Sequence, residues 1–182
     1  SDGIGTLNDW VSVPLSETLR NQQGEFNALI SILQDANAEE STRQKAIEQL
    51  NTQYKDYIGN VNLDTASQAD LVKVLDAGNK LFLQRIFLQQ NEEQLTDFAE
   101  RRLKAERGLF ETRKKLEELA QKGIKPDANP VAALTYGRGN AEANTLAVTL
   151  QAFEGTIKGL NAEQAKFSAN QKELSESIFG RS

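Results

Sequence analysis

The sequence predicts an all-α protein, with short N-terminal helices packed on one very long helix and a C-terminal coiled-coil helix. Three observations predict it. The vocabulary is dominated by Ala, Leu, Gln, Glu, Lys and Asn, with only 3 Pro and 12 Gly in 182 residues, which favours helix over sheet. No proline falls between Pro14 and Pro126, so nothing forces a break over that distance. Finally, Leu146, Leu150, Phe153, Ile157, Leu160, Gln164, Phe167, Gln171, Leu174 and Ile178 recur at alternating steps of four and three. That spacing is a heptad seam.

An irregular lead-in is expected over 1–12, SDGIGTLNDWVS, with Trp10 docking on the helices. Ser12 and Pro14 then suit a helix start, because proline is tolerated in the first turn. Leu15, Leu19, Phe26, Leu29, Ile30 and Leu33 share one face of a helix that ends near Asn37, with Gly24 as a weak point. Ser41-Thr-Arg-Gln44 has the form of a capping box opening a second helix, whose stripe is Ala46, Ile47, Leu50 and Tyr54. Tyr57, Ile58 and Gly59 end it, and a polar turn follows in which Val61 and Leu63 are expected to tuck inward.

Ser67-Gln-Ala-Asp70 repeats the capping pattern and opens a single helix from Gln68 to about Lys122. At the helical rise this rod is roughly 80 Å long, with Gly78 and Gly108 as soft points. Between 71 and 88 its apolar residues occupy much of the circumference and need cover on several sides. Beyond 90 the stripe narrows, and the expected long-helix seam is Leu88, Leu95, Phe98, Leu109, Leu116 and Leu119. Arg102 breaks the register that Leu95, Leu109 and Leu116 share.

Gly123 and two prolines close the rod, so 13–122 is one helical domain, 123–140 a Pro/Gly linker and 141–182 a coiled-coil helix. Residues 131–140 stay ambiguous, a helical turn followed by a loop being one reading. The last helix has two possible partners: it folds back antiparallel on the narrow half of the rod, or it pairs with copies of itself. The 18-residue connection, longer than a tight helical hairpin needs, tilts the expectation towards self-association. Glutamines in a seam cost stability and help set register and strand number.

Chemistry is sparse. There is no His and no Cys, which removes the commonest general base, disulfides, thiolate metal sites and most zinc chemistry. The carboxylate pairs Glu39–Glu40, Glu92–Glu93 and Glu117–Glu118 are sequence neighbours that diverge by about 100° on a helix, so they read as solvated surface. Gly137-Arg138-Gly139 lacks the strand and the Lys-Ser/Thr pair of a phosphate loop and reads as a turn. No catalytic, cofactor-binding or metal-binding residue is expected, nor any cofactor, and the pattern argues against an enzyme. The basic stretch 101–115 is interleaved with acids, giving expected pairs such as Glu100–Lys104 and Glu111 with Lys114 or Lys115. With a net charge of −5, this argues against nucleic acid as a partner. No apolar run approaches the roughly 20 residues that span a bilayer. The chain opens SDGIG and contains no Met, so it is expected to be a piece of a longer protein or a processed chain.

The stretch from Val13 to Ile86 resembles a module of tail tape-measure proteins from Bacteroidota-type phages and prophages. The matching residues are Glu25 to Leu29, Ser41 to Arg43, Ala46, Ile47, Leu50, Asn51, Tyr54, Tyr57, Gly59, Asn60, Leu63, Thr65 to Ser67 and Phe82 to Ile86. The likeness covers roughly 13–100, about half the chain, and carries no catalytic signature. It implies a structural scaffold of several parallel copies inside the tail tube, whose length sets tail length and which leaves ahead of the DNA. Tail-assembly chaperones and the tube are then its partners, and its places are the bacterial cytoplasm during assembly and the virion tail lumen. An elongated, monomeric helical adaptor of a secretion or injection apparatus is the alternative.

Overall fold

The computed structural model describes residues 13–180; the expected lead-in and Trp10 lie outside them. The described residues form six helices and no strand: α1 (Leu15–Gln34), α2 (Glu40–Gln53), α3 (Lys55–Ile58), α4 (Gln68–Gln121), α5 (Pro130–Tyr136) and α6 (Ala141–Phe179). The fold is all-α. Two compact units divide it, one running to Glu93 and including the residues from Ser177, the other spanning Gln94–Glu176. The expected 123–140 linker lies inside the second unit; α4 runs through both, its contacts with α1 reaching as far as Glu93 and α6 packing on it beyond that point.

In the first unit the core is aromatic. Phe26, Tyr54, Tyr57 and Phe82 are all buried, and the Tyr57 and Phe82 rings stack at 3.6 Å with 6° between their planes. Leu29, Ile30 and Leu33 of α1, Ala46, Ile47 and Leu50 of α2, Ile58, Leu63, and Leu71, Val74 and Ile86 of α4 complete the cluster. Burial, reinforced by hydrogen bonding to the Glu25 carboxylate, pushes the Tyr54 phenol up to about 12. Arg85 lies over the Tyr57 ring and donates to its hydroxyl at 3.0 Å. Beside this core, Gln23 donates to Asn79 and Asn79 to Asn27, a polar ladder joining α1 to α4. Further along, the buried Ser16 hydroxyl donates to Glu93 at 2.6 Å, so one of the acids read as solvated surface has a structural bond.

Of the two expected capping boxes, one forms. Asp70 N–H donates to Ser67 Oγ and Ser67 N–H donates to Asp70 Oδ2, at 3.1 and 3.0 Å. These bonds hold the Asp70 carboxyl below its ordinary range. The other box does not form, because the chain is already helical at Glu40 and the Gln44 amide donates to Glu40 and Asp64. Likewise α1 ends at Gln34 rather than Asn37, where Asp35 turns back to accept from Asn37 N–H. Leu63 is buried as expected, whereas Val61 is exposed; Ala66 of the same turn packs on the core instead.

Gly78 lies in the interior of α4 for packing, not for flexibility. A Cβ built there would overlap the Phe26 ring and approach Tyr57 O at 3.2 Å. Gly24 of α1 has open space around it. Two substitutions therefore move stability in opposite directions. Gly24→Ala should raise the unfolding free energy by about 0.5–1 kcal/mol through helix propensity. Gly78→Ala should lower it by about 1–3 kcal/mol through overpacking of a buried ring. Urea unfolding followed by circular dichroism measures both, and a stabilising Gly78→Ala would contradict this account of the core.

Candidate functional site

In the second unit, α4 and α6 pair antiparallel along two stripes. On α4 the covered positions are Phe98, Arg102, Ala105, Leu109, Thr112, Leu116 and Leu119, an unbroken four-three alternation. On α6 they are Leu146, Leu150, Phe153, Ile157, Leu160, Gln164, Phe167 and Gln171. Cross-contacts fix the direction. Phe98 meets Phe167 with ring centroids 5.8 Å apart, Arg101 bonds Glu163 at 3.3 Å, and Phe153 lies against the backbone of Gly108. Of the two expected partners for the last helix, the fold-back is the one observed. The long connection is occupied by α5, which buries Pro130 and Ala133.

The two departures from an apolar seam face each other. Arg102 Nη2 donates to Gln164 Oε1 at 2.6 Å. Arg102 thus does not interrupt the α4 stripe but belongs to it, and Gln164 is its acceptor on the opposing helix. The amide oxygen gives the guanidinium one acceptor without adding a second ion, while Arg102 Nε is buried with no hydrogen-bond partner among the described residues. Such charge-assisted bonds contribute about 1.5–3 kcal/mol. Gln171 is different, because its Oε1 is buried with no hydrogen-bond partner among the described residues.

Three expected seam positions fall off the stripe. Leu174 is 50% exposed, because the covered positions near the end of α6 run Gln171, Ser175, Ile178. A repeat of 3.5 residues drifts against the 3.6-residue helix, and here the drift carries Leu174 outward. Leu88, at 54% exposure, and Leu95 are also exposed; Leu88 lies in the first unit, where other α4 faces are covered. Ala105 and Thr112 are buried seam positions that the sequence reading passes over. Their spacing of seven from Phe98 and Leu119 is the signal that could have found them. Thr112 is satisfied locally, donating from Oγ1 to Gly108 O at 2.7 Å.

At the turn of the hairpin, α4 ends as its sequence predicts. Gly123 takes a positive φ of 77°, and Ile124 N–H donates to Leu119 O, the Schellman arrangement. The linker is held by Asn144, which is fully buried. Its Oδ1 accepts from Asp127 N–H at 2.7 Å and its Nδ2 donates to Arg138 O at 3.0 Å. Gly137 and Gly139 both have positive φ, so the Gly-Arg-Gly stretch is a turn.

One flank of the helix pair is hollow. A groove of about 420 Å³ is lined by Ala105, Phe153, Thr156, Gly159 and Leu160, with Lys104 and the Arg101–Glu163 ion pair beside them. Ala105 and Gly159 contribute little side chain to fill it. Lys104 forms no ion pair among the described residues, and neither do the expected Glu100–Lys104 and Glu111–Lys114 or Glu111–Lys115 pairs. Among the described residues no group of three or more acids gathers to hold a metal ion, and no helix is long and apolar enough to cross a membrane.

No family model, curated protein or solved structure matches the chain. Within the seam the two glutamines have different roles. Gln164→Leu should destabilise the second unit by about 1–3 kcal/mol, since it leaves Arg102 without its acceptor. Replacing Arg102 and Gln164 together with Leu should recover most of that loss. Gln171→Leu should raise the melting temperature, because it removes a buried orphan oxygen. Thermal unfolding of the three variants beside the parent checks the set, and equal effects from the two glutamine substitutions would contradict the polar pairing.

Proposed function

We propose that this chain is a non-enzymatic helical scaffold segment of the tail tape-measure type. Its function is to contribute fixed length to an assembly inside a phage tail tube and to leave before the DNA. The observation that supports the reading is the paired α4–α6 seam, a long uninterrupted helical contact whose register is keyed by Arg102 and Gln164. The likeness over 13–100 supplies the tail context. Under this reading the chain works in the bacterial cytoplasm during assembly and then in the virion tail lumen, with the tube and tail-assembly chaperones as partners.

The adaptor reading is favoured by the same closure viewed differently. A helix pair that hides its own seam requires no sibling to be stable, which suits a monomeric binding module of a secretion or injection apparatus. The seam residues Leu146 to Gln171 are occupied within one chain, so parallel copies would have to meet on other faces.

Tail length decides between them. A phage whose gene lacks the codons for residues 94–176 should assemble tails shortened by about 50 Å if the helices lie folded back, or about 100 Å if they run in line. Electron microscopy of purified tails measures this. Tails of unchanged length, or tails that do not contain the chain, would overturn the scaffold reading.

A further inference from the structure

The turn end of the hairpin in the second unit presents an apolar crest to solvent. Its helix, α5, buries Pro130 and Ala133 and turns its other side outward. By the helical repeat, Val131 and Thr135 fall near the centre of that outward side, with Leu134 and Tyr136 on its two shoulders. Val131 is 55% exposed, Leu134 39% and Tyr136 76%, the highest value among the large apolar side chains described. The crest is fixed in place. Asn129 caps its start by accepting from Ala132 N–H, and Arg138 N–H closes its end on Ala133 O at 2.8 Å. Buried Asn144 then ties both flanks, Asp127 and Arg138, to α6. Scattered apolar side chains on a surface are ordinary; three on one short helix secured at both ends are a built display.

Bases flank the crest. Lys122 and Lys125 precede α5 and Arg138 follows it, all three exposed and none in an ion pair among the described residues. Against them the segment 122–140 sets one acid, Asp127, whose carboxylate accepts from Asn129 N–H at 3.0 Å; Glu142 follows in the first turn of α6. In a chain of net charge −5, this segment is locally basic. We infer that the tip docks on an anionic lipid surface. Val131, Leu134 and Tyr136 enter the headgroup region, and the three bases meet lipid phosphates, the chemistry of interfacial anchoring. Size and shape favour lipid over a protein occupant. A stable protein interface takes roughly 20–30 residues a side, and the crest is a short ridge of side chains, not a cleft. A bilayer surface demands neither a large patch nor a complementary shape. The contact is peripheral, since among the described residues no helix is long and apolar enough to cross a membrane. It rests on neither the scaffold nor the adaptor reading and fails independently of both.

Vesicle flotation of the full chain tests it, using phosphatidylcholine alone and an equal mixture of phosphatidylcholine and phosphatidylglycerol. The chain should float with the mixed vesicles, stay behind with the neutral ones, and come off as salt is raised. Val131→Ser, Leu134→Ser and Tyr136→Ser together should weaken binding at least about tenfold. Lys122→Gln, Lys125→Gln and Arg138→Gln together should weaken it on the order of a hundredfold. All six side chains are exposed, so both variants should keep the circular dichroism of the parent. Because the chain has no Cys, Thr135→Cys places a single environment-sensitive dye on the crest, and Asn170→Cys places one towards the far end of α6. On mixed vesicles the emission of the first should shift to the blue and that of the second should not. If a protein is the occupant instead, neither dye shifts with either vesicle, and the inference falls. Equal binding to neutral vesicles, folded variants that float like the parent, or a blue shift at Asn170→Cys alone would each overturn it as well.

Discussion

Two long helices with apolar stripes can pair in several registers, since sliding by a heptad restores nearly the same contacts. In this protein a guanidinium sits in one stripe and a primary amide in the other, and the antiparallel arrangement brings them to 2.6 Å. A slide of seven residues one way would set Arg102 against Ile157, which offers no acceptor. The opposite slide would set it against Gln171 but strand Gln164 opposite Leu109. Leaving the half-buried guanidinium without that acceptor costs about 1–3 kcal/mol, which disfavours either slid register. Around that layer the other features fall into place: Phe98 against Phe167 on one side, Phe153 on Gly108 on the other, and the Asn144 clasp at the turn.

Much of this is legible in the sequence. The helix bounds of α4 and α6 follow from an unbroken run without proline, from the Ser67–Asp70 box and from Gly123, all local chemistry that acts within a few residues. The α6 stripe is legible as far as Gln171 because its period is carried by large apolar side chains. What escapes is non-local. Arg102 reads as an interruption until its acceptor, 62 positions later, is opposite it. Ala105 and Thr112 are too small or too polar to mark a seam alone. The 18-residue connection reads as slack because nothing in its local sequence says that α5 will bury Pro130 and Ala133.

Glycines tell the same story. Inside a helix, Gly is ordinarily a loss of about 1 kcal/mol against Ala, and a sequence reader marks Gly78 and Gly108 as weak points. The structure gives each a ring to accommodate, Phe26 in one unit and Phe153 in the other. Both are places where another helix carries an aromatic side chain onto the α4 backbone. Weakness in isolation and tight packing in company are compatible properties of one residue, and only the partner decides which matters.

The antiparallel polar layer also restricts how such a protein can change in length over generations. Inserting seven residues into α4 between Arg102 and the Gly123 turn, with nothing added to α6, carries Arg102 past Gln164 and breaks the layer. The same seven residues added to both strands of the hairpin, between the layer and the turn, leave Arg102 opposite Gln164 and the Asn144 clasp untouched. Indels in this half of the chain should therefore survive in matched pairs, whereas the segment between Asp127 and Arg138, already closed off by Asn144, can absorb unmatched ones.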